Sequence, residues 1–291
     1  MIRSVLFLAM LSLPALTATA QTPAPAPAAE PVVLIGTYRL TFQPDSTDPA
    51  KRTETMVLTL GKTLSKFESL GTQLSDSMLA ANTSARTTPD DLQALTNKMR
   101  ALPRIRFRYA IYKTAAGRQV THYEPLGMST FRYNEPAGAL TWTIVPGAPA
   151  TIAGYSCQQA TASFGGRRWQ AWFTREVPVP EGPYKFGGLP GLIVKVADTR
   201  GYYTFELLQL RKPATERLVA LPTKAATAAT KAEFRQAAAN FNLNPMASIQ
   251  AASGGAKIMI QGADGQPQSP EQLQQMMRER ARKNNNPLEL R

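Results

Sequence analysis

The two side chains best suited to covalent catalysis occur once each in the chain, as His122 and Cys157. A cysteine nucleophile needs a base within hydrogen-bond reach, and histidine is the commonest such base. The spacing does not bring these two residues together, and an isolated cysteine is more often a small buried hydrophobic residue. We therefore predict no catalytic residue. One His and one Cys without clustered acids also predict no metal site and no cofactor.

Carboxylates offer a second kind of chemistry, because three of them bracket a loop rich in Gly and Pro: Glu176, Glu181 and Asp198. Two carboxylates across a cleft can act as general acid and base, as in glycoside hydrolysis, so a hydrolase is an alternative function. In the simpler interpretation, which we favour, these acids cap turns and pair with Arg175, Lys185 and Arg200.

The loop itself spans residues 180–191 and is called the signature loop below. It lacks the G-x-x-x-x-G-K-[S/T] pattern of a phosphate-binding loop, and Pro190 removes one backbone donor. Its prolines and glycines favour a rigid connection that folds over one end of the sheet as a plug. The alternative interpretation is a binding surface presented by Tyr184, Lys185 and Phe186.

Positive charge is concentrated in residues 98–118, which contain seven Lys and Arg and no acid. Residues 105–113 alternate like a β-strand, with Arg106 and Arg108 on one face. The two arginines are therefore predicted to form a positive stripe. A charge run is usually a solvated face, but the lack of counter-charges makes this stripe a candidate site for an anionic ligand or surface.

Two tryptophans lie on a predicted strand at residues 168–175 and point to opposite faces. Trp169 shares its face with apolar residues, so we expect it in the core. Trp172 shares its face with Arg168 and Gln170. It is therefore the better candidate for an exposed binding anchor.

Residues 1–20 have the pattern of a cleaved signal peptide, with a positive start, an apolar run and a small-x-small end. We predict an exported protein, either periplasmic or associated with the outer membrane. No later stretch predicts a transmembrane segment. The formal charge of +13 falls by one when Arg3 is lost. Such a basic chain predicts an envelope ligand or protein as its partner, and no nucleic acid in that compartment.

The pattern of strands and turns predicts a mainly β protein of the α+β type. We expect a single curved antiparallel sheet or partly open barrel of about ten strands, with two to four helices packed on it. A parallel sheet would need helices between successive strands, and residues 104–212 lack them. Capping boxes from Thr88 to Asp91 and from Thr230 to Glu233 predict two helix starts.

The predicted organisation has four parts. A signal peptide at residues 1–20 precedes a Pro/Ala-rich tether at residues 21–31. The main antiparallel β domain follows at residues 32–212. A C-terminal extension with helices, residues 213–291, is expected to complete the same domain.

Residues 154–198 closely resemble the core of the GLPGLI family. That family is named for a motif which this chain carries at Gly188, Leu189, Pro190, Gly191, Leu192 and Ile193. Residues 58–69, 140–142 and 285–290 resemble other segments of the family. The resemblance implies an exported protein of Gram-negative bacteria with an antiparallel β architecture, in which the six motif residues are a structural signature. It implies no reaction or catalytic residue, because none is established for the family.

Three functional hypotheses remain, and each requires a different structure. The leading one is a non-catalytic binding or assembly protein of the cell envelope with an apolar, amphipathic or anionic partner, which requires one large, mostly apolar cavity. An envelope hydrolase requires two carboxylates about 5–9 Å apart in a cleft. A docking partner of an outer-membrane complex, using the C-terminal helix and the Asn-rich end, requires an exposed apolar patch and no deep pocket.

Overall fold

The computed structural model describes residues 29–82, 88–114, 119–136, 140–245 and 269–290. The predicted signal peptide and residues 21–28 of the predicted tether lie outside the described residues. None of the helices in the described part is long and apolar enough to cross a membrane.

The described residues form mainly β structure. The strands are β1 (Glu30–Pro31), β2 (Leu34–Phe42), β3 (Arg52–Leu60), β4 (Leu64–Ser69), β5 (Ala110–Thr114), β6 (Gln119–Leu126), β7 (Ser129–Pro136), β8 (Thr143–Ile152), β9 (Tyr155–Phe164), β10 (Arg167–Thr174), β11 (Leu192–Asp198), β12 (Tyr203–Arg211), β13 (Leu218–Val219) and β14 (Thr227–Ala228). The helices with described bounds are α1 (Leu70–Ala81), α2 (Pro89–Arg100), α3 (Lys231–Leu243) and α4 (Pro270–Arg282).

One large sheet dominates the fold. Its strand order is β14-β7-β6-β5-β4-β3-β2-β12-β11-β10-β9-β8, and β1 pairs separately with β13. All neighbours in the large sheet are antiparallel except β14 and β7. The sheet is curved but not closed, and helices pack on it. The predicted fold class is therefore confirmed in its open form. The strands exceed the predicted number partly because β1, β13 and β14 contain only two residues each.

Side chains from both faces of the sheet are buried, as the second half of β3 shows, where five successive residues are buried. Leu58 belongs to the main core, whereas its neighbour Val57 belongs to a second, smaller cluster with Leu64 and Val219. Successive residues of a strand point to opposite faces, so the two neighbours face different cores. The largest fully buried side chains of the main core include Tyr38, Phe67, Trp169, Phe173, Phe186 and Phe205. Trp169 is therefore a core residue, as predicted.

The chain segment before β5 does not follow the predicted strand. The prediction for residues 105–113 is wrong for its first half, since the regular strand begins at Ala110. The backbone amides of Arg106 and Phe107 donate instead to the Glu54 Oε2 atom, at 3.1 and 3.3 Å. The Glu54 carboxylate accepts from two backbone amides that would otherwise pair with a neighbouring strand. The alternation of a strand therefore does not extend to Arg106 and Arg108.

The fold begins inside the segment predicted as a tether. Glu30 and Pro31 pair with the two residues of β13. The Glu30 Oε1 atom accepts hydrogen bonds from the backbone amides of Thr63 and Leu64, at 2.7 and 2.6 Å, in the turn between β3 and β4. The folded part therefore starts at least two residues before the predicted boundary at residue 32.

The signature loop covers the beginning of β11. Phe186 is fully buried, and its ring lies 4.7 Å from that of Trp169. The backbone amide of Ile193 donates to the Glu181 carbonyl at 2.9 Å. The loop thus covers a face of the sheet that would otherwise be open, and this explains why Leu192, Ile193 and Val194 are all buried. Of the two interpretations, the contacts match the plug.

Alanine substitutions at Gly191 and Gly188 separate the cost of a packing clash in this loop from the cost of backbone strain. Both have positive φ, 147° and 85°. A Cβ atom at Gly191 would lie 2.0 Å from the Thr174 carbonyl oxygen, whereas one at Gly188 would meet nothing within 4 Å. We expect Gly191→Ala to lower the free energy of unfolding by more than about 3 kcal/mol, and Gly188→Ala by only about 1 to 2 kcal/mol. Urea unfolding measures both, and equal losses would contradict this account of the loop.

Candidate functional site

A cavity of about 600 Å³ opens between the sheet, helices α3 and α4, and residues 284–290, which are called the C-terminal segment below. This volume is in the range of sites that hold a drug-sized ligand. Seven Phe and Tyr side chains form much of its wall: Phe42, Phe107, Tyr109, Tyr133, Tyr184, Tyr203 and Phe234. They come from β2, the segment before β5, β7, the signature loop, β12 and α3, so the curvature of the sheet brings them together.

The rings of this wall pack against one another, which fixes their positions. Phe42 and Phe107 meet edge to face with centroids 4.9 Å apart. The His122 ring stacks on Tyr133 at 4.6 Å, and Phe234 of α3 lies 5.5 Å from Tyr133. Edge-to-face and offset-stacked rings stabilise each other beyond the area they bury. The wall is therefore preorganised.

His122 and Tyr109 contribute polar atoms without partners in this wall. The His122 Nε2 atom lies 2.8 Å from Glu124 Oε2, whereas Nδ1 has no hydrogen-bond partner among the described residues. The Tyr109 hydroxyl also lacks one within this part of the chain. Burial lowers the pKa of His122, although Glu124 opposes the shift. A neutral ring that donates from Nε2 leaves Nδ1 as an acceptor.

A network of charges around Glu289 forms another part of the cavity. Its carboxylate lies 2.7 Å from Lys185 Nζ and 2.5 Å from Lys231 Nζ, and it accepts a hydrogen bond from the Tyr184 hydroxyl. Burial opposes ionisation of this acid, but Lys185 and these hydrogen bonds outweigh it and lower the pKa of Glu289 to about 2. Glu135 pairs with the same two lysines. Glu289 is thus a fixed anion and has no proton to give at neutral pH.

Arg106 and Arg280 carry charge of a different kind at this site. Both line the cavity. The Arg106 guanidinium lies over the Phe42 ring, 5.8 Å from its centroid. Within the described ranges, neither arginine has a carboxylate oxygen within 4.0 Å of its side-chain nitrogens. These two cations are therefore free to meet an anion from outside.

Arg167 holds the C-terminal segment in place. Its guanidinium donates to the Leu288 carbonyl at 3.0 Å and to Asn286 Oδ1 at 2.5 Å, and it lies 3.3 Å from Asp198 Oδ2. Asn286 is buried, and its amide donates to the Gln43 carbonyl at 2.7 Å. The Asn-rich end, expected as a docking element for another protein, is thus bound within the chain's own fold.

The predicted loop residues divide between the cavity and the core. Tyr184 lines the cavity. Lys185 is buried in the Glu289 network, and Phe186 is buried against Trp169. The three residues therefore do not form the exposed binding surface that was the alternative interpretation.

The other predicted binding residues are not brought together. Arg106 lines the cavity, but Arg108 is exposed and does not. Trp172 is half-buried, with the Lys195 ammonium 5.5 Å from its ring centroid, and it also lies outside the cavity lining. The regular strand that was predicted to place Arg106 and Arg108 on one face does not include residues 105–109.

The predicted catalytic alternatives are also dispersed. Glu176 accepts from the Ser156 amide at 2.8 Å, and Glu181 pairs with Lys113 at 2.5 Å. Asp198 pairs with Arg167, so none of the three acids has the predicted partner, and none lines the cavity. Cys157 on β9 is separated from His122 on β6 by seven strands in the sheet order. Among the described residues, no group of three or more His, Cys, Asp and Glu could hold a metal ion.

The Arg167 anchor can be tested against its neighbour on the same strand. Arg167→Met leaves the buried Asp198 carboxylate and the carbonyls of the C-terminal segment without their donor. We expect the free energy of unfolding to fall by about 3–5 kcal/mol and residues 284–290 to become sensitive to protease. Arg168→Met changes an exposed residue of β10 and should alter neither. Urea unfolding and limited proteolysis measure the effect, and equal results for the two variants would contradict the anchor.

The Glu289 network predicts a dependence of stability on pH. The lowered pKa of Glu289 means that its ionised form adds stability above its ordinary value of 4.5, and that this stability is lost as pH falls from 4.5 toward 2. The free energy of unfolding should therefore fall further between pH 6 and pH 3 in the unchanged chain than in Glu289→Gln. Glu279→Gln, an exposed site on α4, is the control and should follow the unchanged chain. A fall in Glu289→Gln as large as in that control would contradict the network.

Similarity to known proteins includes a family match over a short segment and distant solved structures. A family model described as "Protein of unknown function (Porph_ging)" matches residues 166–195. No curated protein matches the chain. The solved structures that are similar include two descriptions of one protein. One, described as "Structure of PNGF-II in C2 space group", has 14% identity and a TM-score of 0.48, covering 72% of this chain. The other, "Structure of PNGF-II in P21 space group", has 12% identity and a TM-score of 0.46, covering 71%. The chain spans 33% of each of those two chains. The family match covers β10, the signature loop and the start of β11, where the GLPGLI motif lies.

Proposed function

We propose that the chain is a non-catalytic binding protein of the cell envelope, and that its cavity holds an amphipathic small molecule. The observation that carries this proposal is the cavity of about 600 Å³ with a wall of packed aromatic rings. Rings from six different parts of the chain provide apolar contact. Hydroxyl, imidazole, amide and charged groups could orient a ligand, and they make the lining more polar than the leading hypothesis required. That combination is typical of small-molecule sites.

Two observations weigh against the alternatives. Of the two carboxylates that line the cavity, Glu289 is held as an anion by Lys185 and Lys231, and Glu124 is hydrogen-bonded to His122. The acids near the signature loop lie outside the cavity. A docking protein would need a free C-terminal segment, but Asn286 and Leu288 are buried against the sheet.

The proposed location in the cell envelope rests on the sequence. The pattern of residues 1–20 supports export to the periplasm or the outer membrane. We also assign the chain to the GLPGLI family. This assignment is supported by the resemblance of residues 154–198 and by the overlap of the family match at residues 166–195 with that segment.

Binding can be measured with N-phenyl-1-naphthylamine, a neutral probe whose fluorescence rises in apolar surroundings. We expect saturable binding to the unchanged chain. Asn242 lines the cavity from the exposed side of α3, so Asn242→Trp should fill part of it and weaken binding by about tenfold or more.

Leu243→Trp is the matched control for this experiment. Leu243 is the next residue of α3, is 67% exposed and does not line the cavity. It should bind the probe like the unchanged chain, and circular dichroism should show that both variants are folded. Equal binding by the two variants would place the probe elsewhere and contradict the proposed function.

A further inference from the structure

We propose that the ligand is an organic anion whose negative group binds Arg106 and Arg280 while its apolar body lies against the ring wall. This inference rests on the proposed function of the cavity and adds the chemical class of the ligand. Carboxylate, sulfonate and phosphate groups share the required chemistry, since each offers two oxygens to the paired N–H groups of a guanidinium.

The position of Arg106 is fixed by contacts that leave its charge available. Its backbone amide is held by Glu54, and its guanidinium lies against the Phe42 ring. The ring face attracts the cation without using its N–H donors. A guanidinium has five such donors, and those of Arg106 have no hydrogen-bond acceptor in the part of the chain that the structure describes. An anion entering the cavity would meet a donor group that is already oriented.

The charges of the cavity lining do not balance. Lys231 lies 2.5 Å and Arg235 lies 3.8 Å from Glu289, so this carboxylate offsets positive charge on its own side. Arg106 and Arg280 have no such partner among the described residues. The lining also contains Glu124, which keeps its negative charge when it accepts a hydrogen bond from neutral His122, so four cationic side chains stand against two carboxylates. Glu54 offsets part of the Arg106 charge, and the rest, together with the charge of Arg280, is left for the ligand to neutralise.

A third arginine adds to the same positive field. Arg52 is the register partner of Phe42 across β2 and β3. Partial burial, and then the charges of Arg52 and Arg280, lower the pKa of Arg106, although Tyr203 and Glu54 oppose the shift. Like charges held near one another cost free energy. A bound anion would relieve that cost, which favours an anionic ligand over a neutral one.

The rest of the wall suits the body of such a ligand. Phe42, Phe107 and Tyr203 lie in the same cavity as Arg106 and offer ring faces and edges to an apolar or aromatic body. The Tyr109 hydroxyl and the His122 Nδ1 atom add one donor and one acceptor for a polar group on that body. The volume of about 600 Å³ suits a drug-sized molecule.

Two probes with the same apolar body test this inference. One is 8-anilinonaphthalene-1-sulfonate, and the other is the neutral N-phenyl-1-naphthylamine, which lacks the sulfonate. We expect the unchanged chain to bind the sulfonate more tightly, with a preference that weakens as salt is added. Arg106→Gln should reduce the ratio of the two affinities by about tenfold. Arg108→Gln removes an exposed charge outside the lining of the cavity and should leave that ratio unchanged.

Each outcome has a distinct meaning. If Arg106→Gln weakens both probes equally, Arg106 supports the wall and does not bind the anion, and the inference is overturned. If the neutral probe binds as well as the sulfonate, the proposed function stands and the anionic class is wrong. If neither probe binds the unchanged chain, both fail. Sedimentation with phosphatidylglycerol vesicles that Arg106→Gln abolishes would show a membrane head group as the anion, and would overturn a free ligand.

Discussion

The cavity depends on the interactions of the buried Arg167 guanidinium. It joins strand β10, the Asp198 carboxylate at the end of β11 and the C-terminal segment. A buried charge is tolerated only when it is paired and fully hydrogen-bonded, and the segment provides the remaining acceptors. The requirement is mutual, because the segment's carbonyls need a donor once they leave water. The C-terminal segment is therefore held against the sheet, where it forms one wall of the cavity.

The signature loop covers one face of the same sheet. An open sheet has two faces to cover, and the helices with described bounds are few. The loop places Phe186 among Trp169 and other core rings, and Gly191 passes so close to Thr174 that no side chain fits. This close approach explains why the motif needs glycine at that position. Tyr184 then reaches from the loop to Glu289, so the plug and the C-terminal segment support each other.

Local patterns in the sequence predicted the parts of the fold that depend on local physics. Strand alternation indicated the open antiparallel sheet and the burial of Trp169. The capping boxes at Thr88 and Thr230 do begin helices α2 and α3. The strand predicted to align Arg106 and Arg108 does not include them, because a distant carboxylate, Glu54, takes backbone amides of that segment. No pattern within residues 105–113 contains that information.

The cavity itself could not be predicted for the same reason. Its walls are joined by contacts across long separations, such as the 119 residues between Arg167 and Asn286 and the 83 between Tyr203 and Asn286. One signal was present, in the similarity of residues 285–290 to the end of known family members. Similarity of a short polar segment to its counterpart in the family is more simply explained by buried side chains than by an exposed tail. Asn286, buried with both its side-chain oxygen and its amide bonded, is the residue that this signal marked.

The distribution of charge in the cavity follows from what each wall must do. The wall formed by the C-terminal segment has to stay packed, so Glu289 and Glu135 offset Lys185 and Lys231, and the pKa of Glu289 falls to about 2. A wall whose charges are paired can stay packed against the sheet over a wide range of pH. The Arg106 side carries no such packing requirement, because its backbone is held by Glu54 and its side chain by a ring face. Unpaired charge is therefore tolerated there, and only there can a ligand gain from supplying the counter-charge. The cavity is polarised by this division, with paired charges at Glu289 and unpaired positive charge at Arg106.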